Sequence, residues 1–167
     1  TCSDKEKAAQ ECFGGAARLK TAFEQRRAAL SGKNVLSLNA GDNFQGSLFY
    51  STLKGKAELE VMNAIGFNAM TVGNHEFDDG EEAILPFLEG AKFPVLGANV
   101  KVTPQSTLGD RVKPSTVVEV GGQKIGIIGV VTTDTNEIAN PGPNVKIEDD
   151  VAAIEAEVAK LKAEGVN

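Results

Sequence analysis

Three short apolar runs separated by helical stretches constrain this chain more than any other feature. Residues 35–38 (VLSL) lie between Gly32 and the Gly41-Asp42 step, residues 69–72 (AMTV) run straight into Gly73, and residues 94–98 (PVLGA) make the third. The first has the composition of a strand buried on both faces. Between the first two runs, residues 55–66 place Ala57, Leu59, Met62 and Ile65 at helical spacing and end on Gly66, a residue suited to a left-handed cap. Residues 79–91 predict a second helix, acidic at its start, with Ile84, Leu85 and Leu88 along one face. Pro86 must lie in its first turns or kink it. Strands alternating with helices of this length form crossover units around a largely parallel sheet, with functional groups gathered at the carboxyl ends of the strands.

The flanking segments extend this α/β pattern. Residues 15–30 carry Ala16, Leu19, Phe23 and Leu30 on an apolar stripe among charges, which predicts an amphipathic helix. Residues 101–113 are polar and read as irregular, while residues 115–120 and 124–131 flank Gly121-Gly122 as an antiparallel hairpin. Residues 149–164 predict a helix opened by Asp149 and Asp150, with Val151, Ile154, Val158 and Leu161 on one face and Gly165 behind it. In a crossover pattern that helix should hand over to another strand, and the chain stops at Asn167. With Thr rather than Met at residue 1, this predicts a piece of a longer protein, cut at both ends. Its 167 residues still suffice for one domain with a sizeable core.

Composition narrows the function. At 41% hydrophobic and 24% charged residues the chain is neither disordered, collagen-like nor a coiled coil. A formal charge of −6 without any basic cluster argues against nucleic acid as a partner. No apolar run approaches the length of a membrane span, and nothing at the start resembles a signal-peptide core. Cys2 and Cys12, in TCSDKEKAAQEC, suit a small local disulfide and an extracytoplasmic compartment, or else are two unrelated thiols; a zinc set lacks further ligands nearby.

Chemistry concentrates at two strand ends. The first run delivers Gly41-Asp42-Asn43-Phe44-Gln45-Gly46-Ser47 and the second Gly73-Asn74-His75-Glu76-Phe77-Asp78. An aspartate carboxylate can bridge two hard cations and an Asn carbonyl is a neutral oxygen ligand, so Asp42 and Asn74 suit one side of a two-metal site. His75 is the sole histidine, and Asp78 is the candidate carboxylate to orient it and keep it protonated.

These blocks carry a resemblance. GDNFQGS and GNHEFDDG, with GGAARL before them and FPVLGANV and GIIGVVTTDT after, resemble the N-terminal metallophosphoesterase domain of the secreted 5'-nucleotidases over nearly the whole chain. The resemblance implies a layered α/β/β/α fold with mixed sheets, here incomplete, with residues 1–167 as a partial N-terminal domain and the C-terminal substrate-binding domain absent. It implies two divalent metal ions (Zn, Mn or similar), with Asp42 as the bridging ligand, Asn74 as a second ligand, His75 as the histidine acting on the transition state and Asp78 as its partner. The family's Asp-x-His block should lie just before Thr1 and its first later His block just after Asn167. Asn39 and Ser47 depart from the Asp and Thr often found there. Some relatives pair cysteines in this N-terminal loop, which favours a Cys2–Cys12 bridge and an extracellular, cell-surface or periplasmic location.

The implied activity of the parent is hydrolysis of a nucleoside 5'-monophosphate to nucleoside and phosphate. The isolated 167 residues are expected to be inactive, because an Asp and an Asn complete neither coordination sphere. A nucleotide-sugar or cyclic-nucleotide phosphoesterase, or a salivary-type apyrase, shares these blocks. From another class, a non-catalytic binding module would retain them without turnover.

Overall fold

The structure, a computed structural model, describes residues 2–166. The chain divides into two compact units, meeting in sequence between Lys33 and Asn34. In the first unit, α1 (Asp4–Ala8) is opened by a capping box: Ser3 Oγ accepts from the Glu6 amide at 3.3 Å while Glu6 Oε2 accepts from the Ser3 amide at 2.7 Å. Cys2 and Cys12 form a disulfide across this helix, with Cα atoms 5.9 Å apart. The predicted amphipathic helix is α2 (Ala16–Ala29), but none of its residues is buried and Leu19 is 48% exposed. Its apolar stripe is therefore not a core face.

The second unit is built on a four-stranded parallel sheet in the order β1-β2-β3-β5, formed by β1 (Leu38–Asn39), β2 (Ala69–Thr71), β3 (Val95–Leu96) and β5 (Val112–Lys113). Crossovers run through α3 (Leu48–Leu53), α4 (Lys56–Ile65) and α5 (Glu81–Gly90), and Gly66 caps α4 as its position predicts. Pro86 sits in the second turn of α5, past the free donors of the first. Two antiparallel pairs complete the unit: β4 (Val100–Val102) with β8 (Val145–Ile147), and the expected hairpin β6 (Ser115–Val120) with β7 (Gln123–Ile128). Behind β7 the chain passes along the sheet, where the Ala98 amide donates to Gly129 O at 2.6 Å and Thr71 Oγ1 to Val130 O at 3.1 Å. Two helices follow, the short α6 (Thr135–Ile138) and, capped by Asp149, α7 (Asp150–Ala163). Among the described residues no helix is long and apolar enough to cross a membrane.

Three expectations are corrected. The first strand is Leu38–Asn39 rather than residues 35–38, and Leu38 is 50% exposed; among the described residues β1 pairs with β2 alone. Residues 101–113 are not wholly irregular: the alternation Val100-Lys101-Val102 pairs with β8, and Val112-Lys113 extends the parallel sheet. On α7 only Leu161 is buried, against the hairpin, while Val151 and Ile154 are exposed.

The core reaches up to the strand ends. Phe87 of α5 packs edge-on to Phe44 at 5.5 Å and near Phe93 at 6.4 Å, and Phe44 lies 4.8 Å from Tyr50. Phe44 belongs to the Gly-Asp loop after β1, and Phe77, fully buried, belongs to the Gly-Asn-His loop after β2. Each polar loop thus sends one aromatic side chain into the core, and burial of roughly 1.5–3 kcal/mol per side chain ties it to the sheet beneath.

Candidate active site

The two loops meet backbone to backbone. Gly41 has φ +86, and a Cβ there would lie 2.8 Å from Val72 C and 2.9 Å from Gly73 Cα. A Cβ on Gly73 would lie 2.6 Å from Asp42 N and 2.7 Å from Asp42 Cγ. No side chain fits at either position, and that close approach sets Asp42 directly beside the Asn74 turn. Asp42 itself takes a left-handed backbone at φ 54, a conformation Asp tolerates better than most residues.

The side chains singled out in the sequence converge here. Asp42, exposed, accepts the His75 amide on Oδ1 at 3.2 Å. Asn74 opens the short 3-10 turn His75–Phe77, its carbonyl accepting from the Phe77 amide at 3.0 Å, and its carboxamide makes no hydrogen bond among the described residues. His75 Nδ1 meets Asp78 Oδ2 at 2.6 Å, an i, i+3 pairing made by the turn itself. That hydrogen bond raises the His75 pKa above the usual histidine value, against the lesser opposing effect of burial, with the charges of Asp78, Asp42 and Glu76 adding to the rise. With Nδ1 engaged and the side chain 46% exposed, Nε2 remains for a ligand. Cys2 and Cys12 belong to the other unit. No group of three or more His, Cys, Asp or Glu suited to a metal occurs among the described residues.

Two carboxylates of the second block were passed over in the sequence. Glu76, fully buried, accepts the amides of Asp42 (2.9 Å), Asn43 (2.7 Å) and Gly73 (2.6 Å). Asp79 Oδ2 accepts both Tyr50 Oη at 2.9 Å and Lys54 Nζ at 3.0 Å, and these donors, Lys54 foremost, lower its pKa. Burial first, then this hydrogen bond, pushes the Tyr50 hydroxyl well above its ordinary value. No signal in the sequence marks Glu76, because two of the amides it accepts come from the other loop, more than thirty residues away. Tyr50→Phe should cost about 1.5–3 kcal/mol, the net worth of a hydroxyl bond to a charged group, and thermal unfolding against wild type reads it.

Residues 3–155 match the calcineurin-like phosphoesterase family. The snake venom 5'-nucleotidase of Gloydius brevicauda is 40% identical over 161 residues, 95% of this chain and 27% of that protein. Among solved structures, the 5'-nucleotidase precursor from Thermus thermophilus superposes with a TM-score of 0.87 at 43% identity, covering 92% of this chain and 30% of that one. The NAD nucleotidase of Haemophilus influenzae gives 0.85 at 38% identity, covering 93% and 27%. The chain spans less than a third of the length of these relatives.

Proposed function

The chain belongs to the calcineurin-like phosphoesterase family, and from that premise we propose that it is part of the N-terminal domain of a metal-dependent 5'-nucleotidase, whose parent protein hydrolyses a nucleoside 5'-monophosphate to nucleoside and phosphate. One observation carries the reading: two parallel strand ends bring Asp42 and Asn74 together with a histidine already paired to a carboxylate. The oxygen donors fit a divalent cation. Asp42 has only Oδ1 engaged, by one backbone amide, and the Asn74 carboxamide is without a partner among the described residues, so both present hard oxygens at low cost.

When bound, divalent cations supply charge stabilisation to phosphoryl oxygens and a nucleophile from water at neutral pH. The chain's own residues do the rest. Asp42 and Asn74 form one side of that site. Asp78 fixes the imidazole of His75 through Nδ1 and favours its protonated form, so that Nε2 presents a proton to the phosphoryl group or the leaving oxygen. A net acidic chain can bind an anionic substrate in this way because the metal ions provide the local positive charge.

The test is hydrolysis by the complete parent protein loaded with Mn²⁺ or Zn²⁺, read by chromatography of the nucleotide and nucleoside products, because cleavage of a phosphodiester or pyrophosphate frees no inorganic phosphate. The panel is AMP, a nucleotide sugar, a cyclic nucleotide, ATP and NAD, the last because one structural neighbour is named for it. AMP should be hydrolysed to adenosine; hydrolysis of another member alone moves the substrate assignment, and hydrolysis of none overturns the reading. We also assign the protein to an extracellular or periplasmic compartment, on the Cys2–Cys12 bridge and a relative named as a venom protein. In the chain-entropy description a bridge closing so short a loop stabilises by about 2–3 kcal/mol. Intact mass of unreduced protein treated with an alkylating agent should show no adduct on Cys2 or Cys12, and two adducts only after reduction; two alkylated cysteines without reduction would contradict the bridge.

A further inference from the structure

Beneath the two loops lies a carboxyl group that no step above uses. Glu76 is 0% exposed, yet it belongs to the most polar turn of the chain. Burying such a group is costly unless its oxygens are hydrogen-bonded, and here each is: Oε2 accepts Asp42 N and Gly73 N, and Oε1 accepts Asn43 N with Asn43 Nδ2 at 3.4 Å. The donors are not a random set. One is the amide of Asp42 itself, and another belongs to the residue directly before Asn74.

The sheet does not hold these residues in register. The last pairing between β1 and β2 is Asn39 with Met70, and beyond it β2 continues toward β3, where the Val72 amide donates to Leu96 O at 2.9 Å. From Gly41 onward the β1 loop turns away into left-handed backbone at Gly41 and Asp42. Two groups span the gap past the end of the ladder: Asp42 Oδ1, which accepts the exposed His75 amide at 3.2 Å, and beneath it the buried Glu76 carboxyl, with three amides and one oxygen shared between the two loops. The absent Cβ atoms of Gly41 and Gly73 permit the approach, and Glu76 fixes its distance.

We infer that Glu76 is a positioning residue whose buried carboxyl replaces the missing strand ladder and sets the separation of Asp42 from Asn74. This rests on the reading of those two residues as metal ligands. A group that orients ligands without touching the metal typically changes affinity by 10- to 100-fold when removed. Glu81 offers the control: it too is a buried carboxyl, accepting Thr107 N at 2.9 Å, Asn144 Nδ2 at 3.0 Å and Ser106 Oγ, but it braces α5 and not the loops.

The experiment measures Mn²⁺ affinity by chelator competition, the absorption spectrum with Co²⁺ and thermal unfolding, on the complete parent protein and its Glu76→Gln and Glu81→Gln variants. Both variants should melt below wild type. Only Glu76→Gln should bind Mn²⁺ at least 10-fold more weakly and alter the Co²⁺ spectrum, with Glu81→Gln within twofold of wild type. If Glu76→Gln does not fold, Glu76→Asp, which keeps both oxygens on a stem one methylene shorter, carries the same expectation. Wild-type Mn²⁺ affinity and spectrum in the folded Glu76 variant, or equal losses in Glu81→Gln, overturn the inference alone. A wild-type parent that binds no Mn²⁺ overturns the metal-site reading and this inference with it.

Discussion

Asp42→Ala in the parent protein should lose bound metal and phosphate release together, and Asp42→Asn should separate the reasons. In the proposed function the aspartate has two jobs. Its carboxylate offers an exposed oxygen to a cation, and Oδ1 accepts the His75 amide at 3.2 Å, steadying the turn that carries Asn74 and His75. Its backbone also sits at φ 54, where alanine pays a left-handed penalty of about 1–2 kcal/mol and asparagine much less. Alanine therefore removes charge, acceptor and conformational tolerance at once. Asparagine keeps the acceptor and the backbone and removes the charge. Both variants should lose metal by elemental analysis and at least about 100-fold in kcat, while in chelator, where no bound metal contributes to stability, only Asp42→Ala should melt clearly below wild type. Asp42→Asn with full metal content and wild-type kcat would show that Asp42 is no ligand.

That separation depends on geometry the sequence shows only in part. The strand ends were legible because a short apolar run followed by Gly-Asp or Gly-Asn breaks period and polarity at one point, so Asp42, Asn74, His75 and Asp78 fall on the same edge of any parallel sheet built from those runs. The hairpin was legible for the same reason, from Gly121-Gly122 between alternating segments. Strand limits were not. Which residues pair depends on the neighbour: among the described residues β1 has one partner and spans Leu38–Asn39, and β4 and β8, remote in sequence, are strands because they find each other. Glu76 was illegible for a further reason. A charged residue beside a histidine reads as solvent-facing, and only the buried amides of Asp42, Asn43 and Gly73, brought in from two loops, make the interior its better place. Phe44 and Phe77 stand inside polar motifs, and their burial anchors those motifs.

His75 is expected to fail in a different way from Asp42, since the proposed function has it act on substrate rather than on metal. Its side chain is 46% exposed, its Nδ1 is committed to Asp78 at 2.6 Å, and the constraint on its backbone comes through its amide, which every substitution except proline retains. His75→Ala should therefore leave the Asp42 and Asn74 oxygens in place, with metal content within error of wild type. The same variant should lower kcat by roughly 10²–10⁴, the range for removing a positioned acid or charge stabiliser. KM should change little if the imidazole acts mainly in the transition state. Asp78→Asn keeps the imidazole and a hydrogen-bonding partner but removes the charge that holds it protonated and aligned, so its loss should be smaller, with metals again retained. Elemental analysis beside steady-state kinetics on wild type and the two variants of the complete parent protein decides it. Loss of metal in His75→Ala would make the histidine part of the ligand framework, and a kcat equal to wild type would remove it from the chemistry altogether. A larger loss in Asp78→Asn than in His75→Ala would mean that the aspartate acts other than through the ring it holds.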